Sequence, residues 1–251
     1  MEEVVRTAEE AGADHGERAS VAVGGFGPGG VPETLIEALH RQGATGLEVI
    51  SDHCGVEGTG LGRLLAAGRI RRVVGSYVGN NHEFTRRFLA GKLEFELIPQ
   101  GTLAERLHAG GRGVTAFYAP AGVGTLMAGG NLPWSFAPDG TVDFASPVKE
   151  CRGHEDRDHV LQHGITTDFA LVRAARGDRH GNLVFHRAAR NFNPLAAMAG
   201  QVTIAEVEQL VDHGDIDPDD IHLPGIFVQH VVQLTPRQTA EKTTEKRTLD
   251  D

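Results

Sequence analysis

Three groups of residues in this 251-residue chain have the types and spacing that chemistry at a carbonyl or an anion requires. The first is a glycine-rich turn, here called the glycine turn, and its members are Gly24, Gly25, Phe26, Gly27, Pro28, Gly29 and Gly30. Glycines let a ligand approach the backbone where a Cβ atom would block it, and successive N–H groups ahead of a helix form an anion-binding nest. We therefore expect an anionic or carbonyl-bearing ligand at this turn.

The other two groups are polar residues that follow predicted strands. Asp52 and His53 come just after Leu47–Ile50, and Gln100 comes after Leu93–Pro99 at the start of a helical pattern. Because ligands of open α/β sheets bind outside the carboxyl ends of the strands, these side chains are candidates for the walls of one site. The Gln100 amide there is a candidate hydrogen-bond donor to a ligand, and the alternative is a helix-capping amide with no ligand role.

The glycine turn also permits a second interpretation. Gly25, Gly27 and Gly30 fit the G-x-G-x-x-G spacing of dinucleotide-binding turns, and Glu48 lies at about the spacing of a ribose-binding acid. Glu48, however, lies within a strand pattern, whereas a ribose ligand belongs at a strand's end, and Pro28 removes a donor from the turn. We regard the dinucleotide interpretation as the weaker one. A tight connection whose glycines serve only packing is the other alternative.

The segments around these residues predict an α/β fold with an open, mostly parallel, doubly wound sheet and helices on both faces. Short apolar strands separated by helices of about ten residues are typical of such sheets. Further predicted strands are Val21–Val23, Arg72–Val78, Val114–Tyr118, Asp168–Arg173, Asn182–His186 and Ile226–Val232. Predicted helices are 4–12, Thr34–Arg41, Asn81–Leu89 and Gly101–Ala109, the last capped by Thr102, while Val202–Val211 is ambiguous between strand and helix.

Two segments differ from the rest of the chain in amino-acid composition. Residues 122–153 are rich in Gly, Pro and polar residues and predict a less regular, β-rich insertion with a hairpin at Pro138–Gly140. Residues 235–251 have almost no apolar side chains and predict a mobile tail, which leaves residues 1–234 as a single domain.

Composition excludes several classes of protein. The net charge of −10 disfavours general binding to nucleic acid or to an anionic membrane. Cys54 and Cys151 are the only cysteines and imply no disulfide framework. With no signal-peptide pattern or membrane-spanning run, we expect a cytoplasmic protein.

His159 and His163 have a helical metal-ligand spacing, but no third ligand is evident nearby, so we expect a solvated surface and no metal site.

Five sequence blocks, of which the glycine turn is the first, carry a family resemblance. The blocks are Gly24–Gly27 with Gly30-Val31-Pro32, Ser76–Phe84, Pro99–Arg106, Ala189–Pro194 and Ile221–His230. They resemble the A subunits of family I CoA-transferases, in the expected order over about residues 17–232. The Ser76–Phe84 block is most similar to the subgroup that acts on succinyl-CoA and 3-oxoacids.

The resemblance implies a half-enzyme. Such a protein moves CoA from succinyl-CoA, or a similar acyl-CoA, to a 3-oxoacid such as acetoacetate, with the CoA thioester as a substrate and no tightly bound cofactor. The nucleophile is a glutamate in a Ser-Glu-Asn-Gly motif of a B subunit, where it forms an acyl anhydride and then a glutamyl–CoA thioester. No glutamate of this chain lies in that motif. The resemblance therefore implies a B partner, in an A2B2 assembly.

The same resemblance implies roles for individual residues. The glycine turn would lie beside the CoA thiol end and the acyl group, and Gln100 would help to form the oxyanion hole. Asp52 and His53 stand where the family usually has two asparagines that help to hold the acid substrate. An ionised, unpaired Asp52 would repel an anionic acceptor, and pairing with His53 is not expected because adjacent strand residues face opposite ways.

Two other functions remain open. One is that of the A subunit in a 3-oxoadipate CoA-transferase, which shares the chemistry but prefers another acceptor. The other is a non-catalytic nucleotide-binding or structural subunit, in which the glycine turn holds a phosphate and Gln100 has no part in turnover.

Overall fold

The computed structural model describes residues 4, 5, 7–11, 18–79 and 81–241. Within these ranges the strands form one large sheet and two small ones. The strands are β1 (Ser20–Val23), β2 (Leu47–Ile50), β3 (Ile70–Gly75), β4 (Glu94–Leu97), β5 (Ala116–Ala119), β6 (Pro133–Phe136), β7 (Val142–Ala145), β8 (Cys151–His154), β9 (Arg157–His163), β10 (Thr167–Asp178), β11 (Leu183–Val184), β12 (Gly200–Val211) and β13 (His230–Gln233). The α-helices are α1 (Ala8–Ala11), α2 (Glu33–Gln42), α3 (Leu61–Ala66), α4 (His82–Leu89), α5 (Gln100–Gly111), α6 (Leu126–Gly129), α7 (Asn193–Ala199) and α8 (Pro236–Ala240).

The large sheet is open and mostly parallel, as predicted. Its strand order is β13-β12-β10-β1-β2-β3-β4, and all of these neighbours pair in parallel, while β11 pairs antiparallel with β10. From β1 the chain builds β2, β3 and β4 on one side, and β10, β12 and β13 lie on the other. The crevice between β1 and β10 is therefore a topological switch point, where open α/β sheets bind their ligands.

Helices cover both faces of the sheet, which confirms the doubly wound arrangement. Alternate residues of β1 point to opposite faces, so Val21 and Val23 join one apolar core and Ala22 joins the other. The first core contains buried side chains of α2, α3 and α4, such as Leu35, Leu64 and Phe84. The second contains residues of α5 and α7, such as Leu103, Leu107, Ala196 and Ala197.

Several predicted elements need correction. The predicted strand Val114–Tyr118 becomes β5, which pairs with β9 in a separate antiparallel sheet and not with the parallel one. Helix α5 begins one residue earlier than predicted, with Pro99 at its N-cap, so Thr102 is a buried helical residue and not the cap. The start of Ile226–Val232 is part of a 3-10 turn, and only its end belongs to β13. The ambiguous segment Val202–Val211 is a strand.

Residues 122–153 contain the predicted hairpin, formed by β6 and β7. The Trp134 ring of β6 lies over the Arg72 guanidinium of β3, with 5.2 Å between the guanidinium carbon and the ring centroid. Arg72 also pairs with Glu48, Glu94 and Glu96 of the neighbouring strands. The insertion thus covers a charged part of the sheet at the β4 edge.

The C-terminal segment begins with a short helix. Thr235 and Gln238 form a capping box at the start of α8. Residues 242–251 lie outside the described residues, so the tail and the domain limit at residue 234 stay predictions. Within the described ranges, no helix is both long and apolar enough to cross a membrane.

Candidate active site

The glycine turn is a closed loop at the carboxyl end of β1. Phe26 and Gly29 exchange two backbone hydrogen bonds, each 3.0 Å long from N to O. Gly25, Gly27 and Gly30 have φ angles of 114°, 54° and 68°, in the region that L side chains rarely adopt. The turn therefore requires its glycines for backbone conformation.

Two asparagines hold the turn from the β10 side. Asn191 donates from Nδ2 to the Gly29 carbonyl at 3.0 Å, and Asn193 donates from Nδ2 to the Gly30 carbonyl at 2.9 Å. Asn193 is fully buried, and its Oδ1 accepts the backbone N–H of Arg173 at 2.9 Å. A Cβ atom on Gly30 would lie 2.8 Å from Asn193 Nδ2 and 2.7 Å from a backbone oxygen, so this close approach needs glycine. Nothing in the sequence pattern assigns this role to either asparagine.

His53 contacts the turn from the β2 side. Its Nε2 lies 2.6 Å from the Gly27 carbonyl oxygen, and its Nδ1 accepts the backbone N–H of Gly55 at 3.3 Å. Since a carbonyl can only accept, Nε2 carries the proton in this arrangement. The glycine turn is thus held at Gly27, Gly29 and Gly30 by side chains from two sides.

Gln100 is the first residue of α5 and its side chain is exposed. Its Nε2 donates to Asp52 Oδ1 at 2.7 Å, and Asp52 is only 2% exposed. Asp52 is therefore paired, and its partner is Gln100 and not the adjacent His53. Between these two strand ends lies Ser76, whose buried Oγ has no hydrogen-bond partner among the described residues.

A cavity of about 550 Å³ adjoins the glycine turn. Its walls include Gly24, Gly27–Gly30, His53, the first turn of α2, six residues between 55 and 63, Arg173 and parts of 235–241. Gln100 and Asp52 do not line the cavity. They are hydrogen-bonded to each other, and Asp52 precedes His53, which does line it. The predicted site residues thus share one edge of the sheet, with the glycine turn and His53 facing the cavity and the Asp52–Gln100 pair beside it.

A buried ion pair supports the helix that follows the turn. Glu206 is fully buried, lies 3.4 Å from Arg173 and accepts the backbone N–H of Leu35 in α2 at 3.0 Å. Burial raises the pKa of Glu206 to about 7, against the opposing charge of Arg173. The pair is not predictable from the sequence, because two charged residues within strand patterns give no signal of burial.

The raised pKa predicts a pH-dependent loss of stability. The folded chain holds the Glu206 proton more tightly than the unfolded chain. The contribution of this proton to the free energy of unfolding is therefore complete below about pH 4.5 and is lost as pH rises to about 7. As pH rises from about 5 to about 8, the free energy of unfolding of Glu206→Gln should therefore increase by about 3 kcal/mol relative to that of wild type, at about 1.4 kcal/mol per pKa unit. Urea unfolding of both proteins at several pH values measures this. Parallel pH curves would contradict the prediction.

The two cysteines differ in accessibility. Cys54 is buried beside His53, and burial raises the pKa of its thiol to about 12, whereas Cys151 is exposed. Since the thiolate is the reactive form, we expect iodoacetamide to alkylate Cys151 of the native protein and to leave Cys54 unmodified. Peptide mass mapping measures the labelling, and urea-unfolded protein should be labelled at both. Equal labelling of the two thiols in the native protein is the result that would refute this expectation.

The geometry also bears on the weaker interpretations. Glu48 lies inside β2 and pairs with Arg71 at 2.8 Å and Arg72 at 3.1 Å, so it is not placed at a strand end to bind a ribose. His159 and His163 lie on the strand β9 and not on a helix. In the part of the chain that the structure describes, no three His, Cys, Asp or Glu side chains form a potential metal site.

The fold and the site together define an open α/β protein that holds a rigid glycine turn at the switch point of its sheet. Residues 5–234 match the sequence profile of the family described as Coenzyme A transferase, and the chain belongs to this family. It is 56% identical over 248 residues to the A subunit of a probable succinyl-CoA:3-ketoacid coenzyme A transferase of Mycobacterium tuberculosis, over 98% of this chain and 100% of the relative. The A subunit of the succinyl-CoA:3-ketoacid coenzyme A transferase of Xanthomonas campestris is 50% identical over 92% of this chain and 86% of its own length.

Solved structures share the fold at lower identity. An acyl-CoA transferase of E. coli O157:H7, in a thioester complex with CoA, superposes with a TM-score of 0.76 and 21% identity. This chain is covered to 94%, yet it spans only 47% of that longer chain. The glutaconate coenzyme A-transferase of Acidaminococcus fermentans gives a TM-score of 0.76 and 20% identity, over 96% of this chain and 78% of the other.

Proposed function

We propose that this chain is the A subunit of a CoA-transferase that moves CoA from succinyl-CoA to a 3-oxoacid such as acetoacetate. The observation that carries the proposal is that one strand end, Asp52-His53, contacts both the glycine turn and Gln100. The relatives named as subunits of succinyl-CoA:3-ketoacid transferases support the choice of substrates.

The proposed chemistry divides between two polypeptides. A glutamate of a B subunit attacks the acyl-CoA carbonyl, thiolate leaves, and the acyl–glutamyl anhydride reacts with the thiolate to give glutamyl–CoA and free succinate. The 3-oxoacid carboxylate then attacks the glutamyl–CoA carbonyl, and the released CoA thiolate takes the 3-oxoacyl group from the new anhydride. Each step passes through an oxyanion. Here Gln100 donates an N–H to that oxygen, and the N-terminal end of α5 adds a positive potential.

The other residues of the site have supporting roles in this proposal. The glycine turn cradles the thioester end of the acyl-CoA, because its glycines allow close approach to the backbone. Asp52 and His53 border the acid-binding side, where they replace the asparagines expected from the resemblance. We place the complex in the cytoplasm as an A2B2 assembly; the acidic composition and the free thiols of Cys54 and Cys151 support the compartment.

The test is reconstitution. The isolated chain should transfer no CoA from succinyl-CoA to acetoacetate, and addition of a B subunit with an intact Ser-Glu-Asn-Gly motif should restore transfer. After incubation with acyl-CoA alone, mass spectrometry should find the CoA adduct on the B subunit and none on this chain. Sustained transfer by the isolated chain would overturn the proposal. Preference for 3-oxoadipate over acetoacetate would favour the 3-oxoadipate enzyme instead.

A further inference from the structure

Asp52 makes a contact that the resemblance does not anticipate. Its Oδ1 lies 2.7 Å from a terminal atom of the Gln100 amide. A carboxylate can only accept hydrogen bonds, so the amide atom that faces it is the nitrogen and not the oxygen. The pair therefore fixes which way the Gln100 amide is turned.

The support beneath this pair is rigid. The backbone carbonyl of Asp52 accepts the N–H groups of Ser76 and Tyr77, both at 2.9 Å. The Ile98 N–H donates to the Gly75 carbonyl at 2.9 Å, which holds the start of the β4-to-α5 connection against β3. Because β3 lies between β2 and β4, Gln100 spans the end of β3 to reach Asp52. Asp52 itself is almost completely buried, so the acceptor has a fixed position.

An asparagine at residue 52 would act differently. The terminal torsion of a glutamine is broad and roughly two-fold, so its oxygen and nitrogen exchange places at little cost. An asparagine partner tolerates both orientations, since it can accept from the nitrogen or donate to the oxygen. A carboxylate tolerates one only, because the reversed amide would place its oxygen against an anion.

We propose that Asp52 is a positioning residue for Gln100. It accepts one N–H of the amide and thereby directs the second N–H towards the reacting carbonyl, without touching the substrate itself. This inference rests on the proposed function, in which Gln100 is the oxyanion donor. It also gives the Asp52 carboxylate a hydrogen-bond partner within the chain, so the negative charge that borders the acid-binding side is a paired one.

The expected effect is smaller than the loss of the donor. Removing an oxyanion donor lowers turnover about a hundredfold to a thousandfold, whereas an unrestrained amide still donates part of the time. In the reconstituted complex, Asp52→Ala should lower kcat by about tenfold to a hundredfold and leave the KM for succinyl-CoA within about twofold. Asp52→Asn should recover only part of the lost kcat, because an asparagine oxygen still accepts the N–H but an asparagine also accommodates the reversed amide.

A double-mutant cycle separates positioning from a general structural role. In a Gln100→Ala background, Asp52→Ala should lower kcat by less than about twofold, because there is no amide left to orient. The matched control is Asp168→Ala, which removes a carboxylate hydrogen-bonded to Ser20 at the opposite end of the sheet. It should leave kcat unchanged. If Asp52→Ala fails to assemble with the B subunit, Asp52→Ser replaces it, since the shorter hydroxyl cannot reach Gln100.

The outcomes distinguish the positioning role from the proposed function. If Asp52→Ala keeps the wild-type kcat while Gln100→Ala has a strongly lowered kcat, the positioning role is overturned and the proposed function stays intact. Equal losses from Asp52→Ala with and without Gln100 also overturn it, because Asp52 then acts by another route. Wild-type kcat in Gln100→Ala removes the oxyanion assignment itself, and the positioning role with it.

Discussion

Gln100→Ala should lower the kcat of the reconstituted complex by about a hundredfold to a thousandfold, with little change in the KM for succinyl-CoA. In the proposed reaction the amide N–H meets a negative charge that exists only in the transition state, so its loss raises the free energy of the transition state and not that of the ground state. The exposed Gln100 side chain carries no part of the apolar core, so the effect on the fold is confined to the buried Asp52 carboxylate, which loses its hydrogen bond to Gln100. Steady-state kinetics with succinyl-CoA and acetoacetate measure the effect.

The matched control for this variant lies on the same helix. Glu105→Ala truncates another side chain of α5, one that is 66% exposed and contacts only the neighbouring His108 among the ion pairs of the described residues. Its kcat should equal that of wild type. If Gln100→Ala also kept wild-type turnover, Gln100 would have no part in the reaction, and a non-catalytic subunit would become the better interpretation.

Gly24→Ala should destabilise the chain although it adds a single methyl group. The added Cβ atom would lie 2.6 Å from the Asn193 Cγ, which is fully buried and cannot move aside. Displacing Asn193 would also remove the hydrogen bonds to the Gly30 and Ala189 carbonyls, both 2.9 Å long. We expect a loss of about 3 kcal/mol or more from overpacking and unpaired carbonyls, which lowers Tm by about 10 °C.

The same change should disable the site. A misplacement of about 1 Å near the reacting groups can cost about a hundredfold in rate, so turnover should fall even below the melting temperature. Calorimetry and kinetics of the complex measure the two effects. Gly129→Ala is the control, because that exposed glycine of α6 has open space around its Cβ position. A Gly24→Ala variant as stable and as active as Gly129→Ala would show that Asn193 does not constrain the turn.

The parallel sheet is predictable because its central strands are short apolar runs between helices. Val21–Val23 is buried on both faces and gives a continuous apolar signal, and Leu47–Ile50 is apolar and buried at every position except the half-buried Glu48. The strand β12 is ambiguous in sequence because Glu206 interrupts its apolar pattern, although the buried Arg173 of β10 compensates this charge. The start of helix α5 is misassigned because the sequence offers Thr102 as a capping residue and only tertiary structure shows it buried.

The sequence predicts candidate site residues but not the contacts between them. Motif similarity points to the glycine turn, Asp52, His53 and Gln100, and the structure places them along one edge of the sheet. The hydrogen bond between Asp52 and Gln100 joins residues 48 positions apart, and it depends on the order of β2, β3 and β4, which no local pattern specifies. The roles of Asn191 and Asn193 escape prediction for the same reason, because their partners lie more than 160 positions away.

The glycine turn is held by side chains on two sides, and this affects the entropy cost of a reaction with several steps. A reaction that proceeds through an anhydride and a thioester returns to a tetrahedral carbonyl several times in each cycle. A flexible loop that had to become ordered for each tetrahedral intermediate would lose backbone entropy each time, at about 1–2 kcal/mol per residue. Because Asn191, Asn193 and His53 immobilise the turn during folding, that cost is met once, when the chain first folds.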